Sequence, residues 1–197
     1  QVLEQIRAMH GPISGILHGA AIDESCRFEK KTVQGVRASA GAKVAGAYNL
    51  MMLTREDPIR HFLGFGSISG RLGSNGQTDY SASSDMLCKL VSWYRQQRPE
   101  THAVGFHWHP WGDAGMATRP ETQAVLKASN LRVMPASVGV QHLIREACSA
   151  TLDTEVLITD EESHQRYYAT DTDAISRRDD LLGKPGTIVA ESAISHQ

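Results

Sequence analysis

Apolar positions along this chain alternate between a helical rhythm and short continuous runs. Val2, Leu3, Ile6 and Met9 recur at helical spacing over 1–10, and Gly11-Pro12 ends that helix. Residues 13–19, Ile-Ser-Gly-Ile-Leu-His-Gly, are a short apolar run closing on small residues, the pattern of a buried parallel strand. Over 32–53 the rhythm is helical again, with Val33, Val36, Val44, Ala47, Leu50, Met51 and Leu53 on one stripe. Gly35, Gly41 and Gly46 argue against an unbroken helix there. A second run at 60–66 predicts a strand that emerges at Ser67. Four glycines (Gly66, Gly70, Gly73, Gly76) mark a loop, and a helix is expected over 77–95, before Arg98-Pro99. Residues 101–108 read as a strand closed by Pro110, 121–129 and 137–150 as helices, and 155–159 as a last strand. Four strands alternating with helices predict an α/β fold, a Rossmann-like parallel sheet with flanking helices and right-handed crossovers.

At 197 residues and 41% apolar composition, the chain is expected to bury one core. Past Asp160 it turns polar and loses periodicity, so residues 1–160 read as one domain and 161–197 as a linker or the start of a following module. A formal charge of −2 without a basic block gives no electrostatic footprint for nucleic acid or an anionic membrane. Three widely spaced cysteines, Cys26, Cys88 and Cys148, form no CxxC pair, which favours a reducing, cytoplasmic setting. The longest nearly apolar window, 45–53, is too short to span a bilayer. No GxGxxG stands between a first strand and a first helix, so the usual pyrophosphate-binding turn is missing.

The chemistry centres on residues 65–84, where Ser67 at a strand end precedes Tyr80 on the next helix by 13 residues. A hydroxyl at the carboxyl end of a strand and a phenol on the following helix can converge on one small substrate. Reducing a ketone needs a proton for the developing alkoxide. A tyrosine can give it if a nearby cation pulls its phenol down from about 10. A serine hydroxyl can bind the carbonyl oxygen and tighten as charge builds. Phe65-Gly-Ser-x-Ser-Gly-x-x-Gly73, then Gly76-Gln-x-x-Tyr80, with Gly41-Ala-Lys43 upstream, resembles the short-chain dehydrogenase/reductase superfamily, specifically the ketoreductase domains of type I polyketide synthases.

The resemblance covers residues 1–160 and implies the second half of that fold, with its leading βαβαβ part missing. It implies Tyr80 as proton donor, assisted by Ser67 and Lys43; Ser84 stands where the family commonly has asparagine, a shorter group for relaying a proton. It further implies that His18, Gly19, Ala20 and Ala21 pass under the cofactor, joined by Lys43, Tyr80, Pro110, Trp111 and Gly112, and that Met116 leads into a substrate lid. The family's stereochemical markers are not met: Leu72 and Asp23-Glu-Ser25 occupy their positions. No metal is expected, because His107 and His109 have no carboxylate or cysteine set near them in sequence. What the resemblance implies is an NADPH-dependent reduction of a β-ketoacyl thioester carried by the phosphopantetheine arm of an acyl carrier protein, alongside other synthase modules. The alternatives are a noncatalytic half-domain that docks on a partner and a free-standing dehydrogenase of small alcohols. Little or no activity is expected from this piece alone.

Overall fold

The computed structural model describes residues 1–128 and 131–168. In chain order, α1 (Val2–His10) leads into β1 (Gly15–His18), and a 3-10 turn at Phe28–Lys30 into α2 (Val33–Ala40). A π-helical segment, Gly41–Ala45, joins α2 to α3 (Gly46–Leu53). Then come β2 (His61–Phe65), α4 (Ile68–Leu72), α5 (Thr78–Gln97) and β3 (His102–Trp108). A 3-10 turn at Gly115–Thr118, α6 (Pro120–Ala128), α7 (Ala136–Ala147), β4 (Glu155–Ile158) and α8 (Glu161–Tyr168) complete the fold. The four strands form one parallel sheet in the order β1-β2-β3-β4.

Burial follows position in the sheet. β3 and β4 are buried along nearly their whole length, as strands covered on both faces must be. β1 departs from expectation: only His18 is buried and Leu17 is 58% exposed, because among the described residues β1 is the edge strand, paired with β2 alone. One face of the sheet packs Phe62 and Ala103 against Met51, Leu87, Val91 and Tyr94. The other packs Leu63, Val104, Phe106, Trp108, Val156 and Ile158 with Met134 and, from α7, Leu143.

Local signals explain the elements. Thr32 caps α2, its Oγ1 accepting from the Gly35 amide at 3.0 Å. The glycines of 32–53 break the helix at one place, where the π segment widens the turn around Lys43. α5 lies tight on β3 because Gly105 has no side chain: a Cβ there would stand 2.8 Å from Cys88 Cα. The glycine-marked loop after Ser67 contains a helical turn, α4, that the sequence pattern did not announce; Ser67 caps it by accepting from the Ser69 amide at 3.2 Å.

The chain continues in regular structure past residue 160. Residues 161–168 are helical, begun by Asp160, whose Oδ1 accepts from the Ser163 amide at 2.7 Å. The Asp160-x-x-Ser163 pair is the helix-start signal in the sequence. The remainder of 161–197 lies outside the described residues. Among the described residues, no helix is long and apolar enough to cross a membrane.

Candidate active site

The carboxyl ends of β1, β2 and β3 open onto a cavity of about 470 Å³. Lys43, Ser67, Ser69 and Tyr80 line it, as do the apolar Trp111, Met116, Leu126 and Leu131.

Lys43 reaches the cavity from the π segment and is 1% exposed. Its Nζ donates to the Phe65 carbonyl at 2.9 Å and lies 4.6 Å from the centre of the Tyr80 ring. Burial holds the amine down to about 8, against a smaller upward pull from Cys88 and Asp23. Tyr80 sits in the first turn of α5. Burial, with the charge of Asp23, pushes its phenol up to about 12; the hydroxyls of Ser67 and Ser84 and the charge of Arg119 pull the other way. This reverses the expectation of a cation lowering the phenol. The ammonium faces the ring and a carbonyl, while burial and Asp23 act on the oxygen.

Ser67 stands on the cavity wall, its hydroxyl 2.9 Å from that of Ser69. It is therefore both a helix cap and a group presented to the cavity. The structure brings Lys43, Ser67 and Tyr80 together around one cavity, although 37 positions of sequence separate the first from the last.

The other candidates divide. Gly19, Ala21, Pro110, Trp111 and Met116 line the cavity, whereas His18, Ala20, Gly112 and Ser84 do not. His18 is buried instead against the π segment, its Nε2 2.8 Å from the Lys43 carbonyl oxygen, so it holds the turn that presents Lys43. Ala20 is exposed, and the Gly112 amide donates to the Met134 carbonyl at 2.8 Å. Ser84 is fully buried, its Oγ beyond hydrogen-bond length from any partner although near enough to draw the Tyr80 phenol down.

Three features escaped the sequence reading. Asp23 lines the cavity and accepts from Gln77 Nε2 at 2.6 Å, which ties the segment after β1 to the start of α5. Lys31 pairs with buried Asp79 at 2.6 Å and secures the same junction. The histidines of β3 also have carboxylates that sequence proximity could not reveal. His107 Nε2 is 3.1 Å from Glu155, and His109 Nε2 is 3.0 Å from Asp160. An acidic residue heading the otherwise apolar strand Glu155–Ile158 was the available signal. Among the described residues, Asp85, His107 and Glu155 group closely enough to suggest a metal, but Lys89 Nζ already sits 2.7 Å from Glu155.

Comparison with known proteins adds to this geometry. The family model described as the KR domain matches residues 1–113. Polyketide synthase PksL of Bacillus subtilis (strain 168) is 30% identical over 148 residues, 72% of this chain and 3% of its own length. A ketoreductase domain from the bacillaene assembly line superposes with a TM-score of 0.73 at 23% identity, over 84% of this chain and 41% of that one. A short-chain dehydrogenase from Streptomyces avermitilis superposes at 0.72 and 13% identity, over 91% of this chain and 72% of that one. The last two share the fold. This chain thus spans a small part of the curated synthase and less than half of the ketoreductase structure.

Proposed function

The chain belongs to the KR domain family, the short-chain dehydrogenase/reductase-type ketoreductase domains of polyketide synthases, and from that premise we propose that it carries the catalytic residues of an NADPH-dependent β-ketoacyl thioester reductase. One observation carries the reading: Lys43, Ser67 and Tyr80 line one cavity together with apolar side chains suited to an acyl chain.

The residues present fit a nicotinamide cofactor on one side of this cavity. Gly19 and Ala21 leave the wall after β1 nearly without side chains, and Lys43 and Pro110 border it. When bound, the cofactor supplies the hydride. Ser67 orients the substrate carbonyl through a hydrogen bond that strengthens as negative charge gathers on its oxygen. Tyr80 holds its proton across the physiological range, since its phenol lies at about 12, and gives it to the more basic alkoxide. Lys43, over the ring face, is placed to stabilise the phenolate left behind. Trp111, Met116, Leu126 and Leu131 exclude water from the reacting carbonyl. The substrate in this reading is tethered to an acyl carrier protein, and neighbouring synthase modules are its partners. Support comes from the synthase relatives and from the apolar lining.

The first test is a fluorescence titration of the chain with NADPH. Saturable micromolar binding supports the reading and leads to an assay of NADPH oxidation with a β-ketoacyl thioester. A folded chain that binds no NADPH overturns the reading for these residues acting alone.

A further inference from the structure

The chain between β1 and α2 grips the start of α5 at three successive points. The Cys26 amide donates to the Gly76 carbonyl at 3.0 Å, and Gln77 Nε2 donates to Asp23 at 2.6 Å. Lys31 Nζ lies 2.6 Å from Asp79 Oδ1, with the two side chains only 7% and 5% exposed. Lys31 is itself held, since its Nζ also donates to the Glu24 carbonyl at 2.8 Å. The same Asp79 oxygen accepts from the Tyr80 amide at 2.9 Å. One carboxylate oxygen therefore joins an anchor outside α5 to the backbone of the residue that carries the phenol.

Helix geometry turns this anchor into an aim. Asp79 and Ser83 stand one turn apart on the face of α5 that meets α2. There Ser83 Oγ donates to the Asp79 carbonyl at 2.7 Å and lies 3.3 Å from Ser39 Oγ. Tyr80 is one position on, about 100° around the helix axis, and lines the cavity. Fixing the face of Asp79 and Ser83 thus fixes where the phenol points. A buried ion pair adds little stability over a neutral pair of like volume. What this pair adds is direction.

We propose that Lys31 and Asp79 are positioning residues that set the rotation of the first turn of α5 and so aim the Tyr80 hydroxyl at the reacting carbonyl. This rests on the reading of Tyr80 as the proton donor.

Carbon NMR of the chain with ring-labelled tyrosine tests it, the Tyr80 signal being assigned by its loss in Tyr80→Phe. Lys31→Met alone strands a buried carboxylate. The decisive variant is therefore Lys31→Met with Asp79→Asn, which removes both charges and keeps an oxygen for the Tyr80 amide. It is expected to fold with a denaturant midpoint close to that of wild type. Burial and Asp23, opposed by Ser67, Ser84 and Arg119, hold the wild-type phenol up to about 12. A phenol that swings out of place loses that burial. At about pH 10.5 the wild-type phenol is expected to stay protonated and that of the double variant to ionise. In turnover the double variant is expected to lose about tenfold in kcat with the NADPH KM unchanged. A double variant that no longer folds, or one whose Tyr80 titration is unmoved, makes the pair a structural prop and overturns the proposal. A moved titration with an unchanged kcat overturns the positioning role. A moved titration in a chain that never oxidises NADPH counts against the ketoreductase reading alone.

Discussion

The polar and the apolar residues that line the cavity come from different kinds of chain. The polar side chains are delivered by regular elements: Lys43 on the π segment, Ser67 at the end of β2, Tyr80 in α5. Each is seated among buried neighbours, and behind them the sheet and α5 are in van der Waals contact through glycines. The apolar lining comes from irregular chain, a 3-10 turn and α6. α7 behind it buries only Gly139 completely, and its Val140 and Ile144 are exposed. The polar groups are backed by close helix–sheet contact, whereas the apolar lining rests on a helix with exposed apolar residues.

The largest expected effect is among the polar residues. Tyr80→Phe should lower turnover by about 10²–10⁴ while stability falls by only about 1 kcal/mol, the worth of the phenol's contact with the Ser67 hydroxyl. Wild-type turnover in this variant would remove the polar residues' claim to the chemistry.

Lys43 gives a test in pH. Its folded value of about 8 lies below the ordinary 10.5, so between these the unfolded chain holds the proton that the folded chain has released. Stability should therefore rise as pH climbs through 8 towards 10, by at most about 3 kcal/mol. Turnover should fall over the same interval as the ammonium disappears. Above 10, Tyr80 works in the opposite direction, since the unfolded phenol ionises first and stability declines. Lys43→Met should flatten the first part of the stability profile, read from denaturant midpoints across pH.

Two glycines compare the two linings directly. In Gly105→Ala the new Cβ meets the Cys88 backbone at 2.8 Å, and the expected loss is about 2 kcal/mol. In Gly139→Ala it meets the Trp111 ring at 2.5 Å, a side chain of the apolar lining. The expected loss is about 1 kcal/mol, together with an altered substrate KM as Trp111 turns in the cavity. Equal losses would dissolve the distinction. The smallest effect is expected for Ser84→Ala, within about 0.5 kcal/mol of wild type, because the hydroxyl it deletes completes no hydrogen bond. A large loss of turnover there would restore Ser84 to a proton relay.

Much of the fold was open to sequence reading because it depends on local periodicity. The apolar runs at 60–66, 101–108 and 155–159 became β2, β3 and β4, and the long amphipathic stretch after Gly76 became α5. The family resemblance picked out Lys43, Ser67 and Tyr80, and the structure put them around one cavity. Pairwise contacts were not legible: the His18 ring meets the Lys43 carbonyl, a partner 25 positions away. α4 and α8 were read as loop and linker because five and eight residues are too few for a clear apolar rhythm, leaving only their caps as signals.

The order and type of the main elements were determined by the sequence alone, because spacing along one strand or helix fixes which residues share a face; the candidates for proton donor, hydroxyl and cation came from the family resemblance. Only the tertiary structure decided the protonation balance of the site. The depth that lowers Lys43 and raises Tyr80, and the meeting of His107 with Glu155 across 48 positions of sequence, depend on how elements pack. Solvent exclusion and through-space charge act between residues that no one-dimensional pattern places side by side.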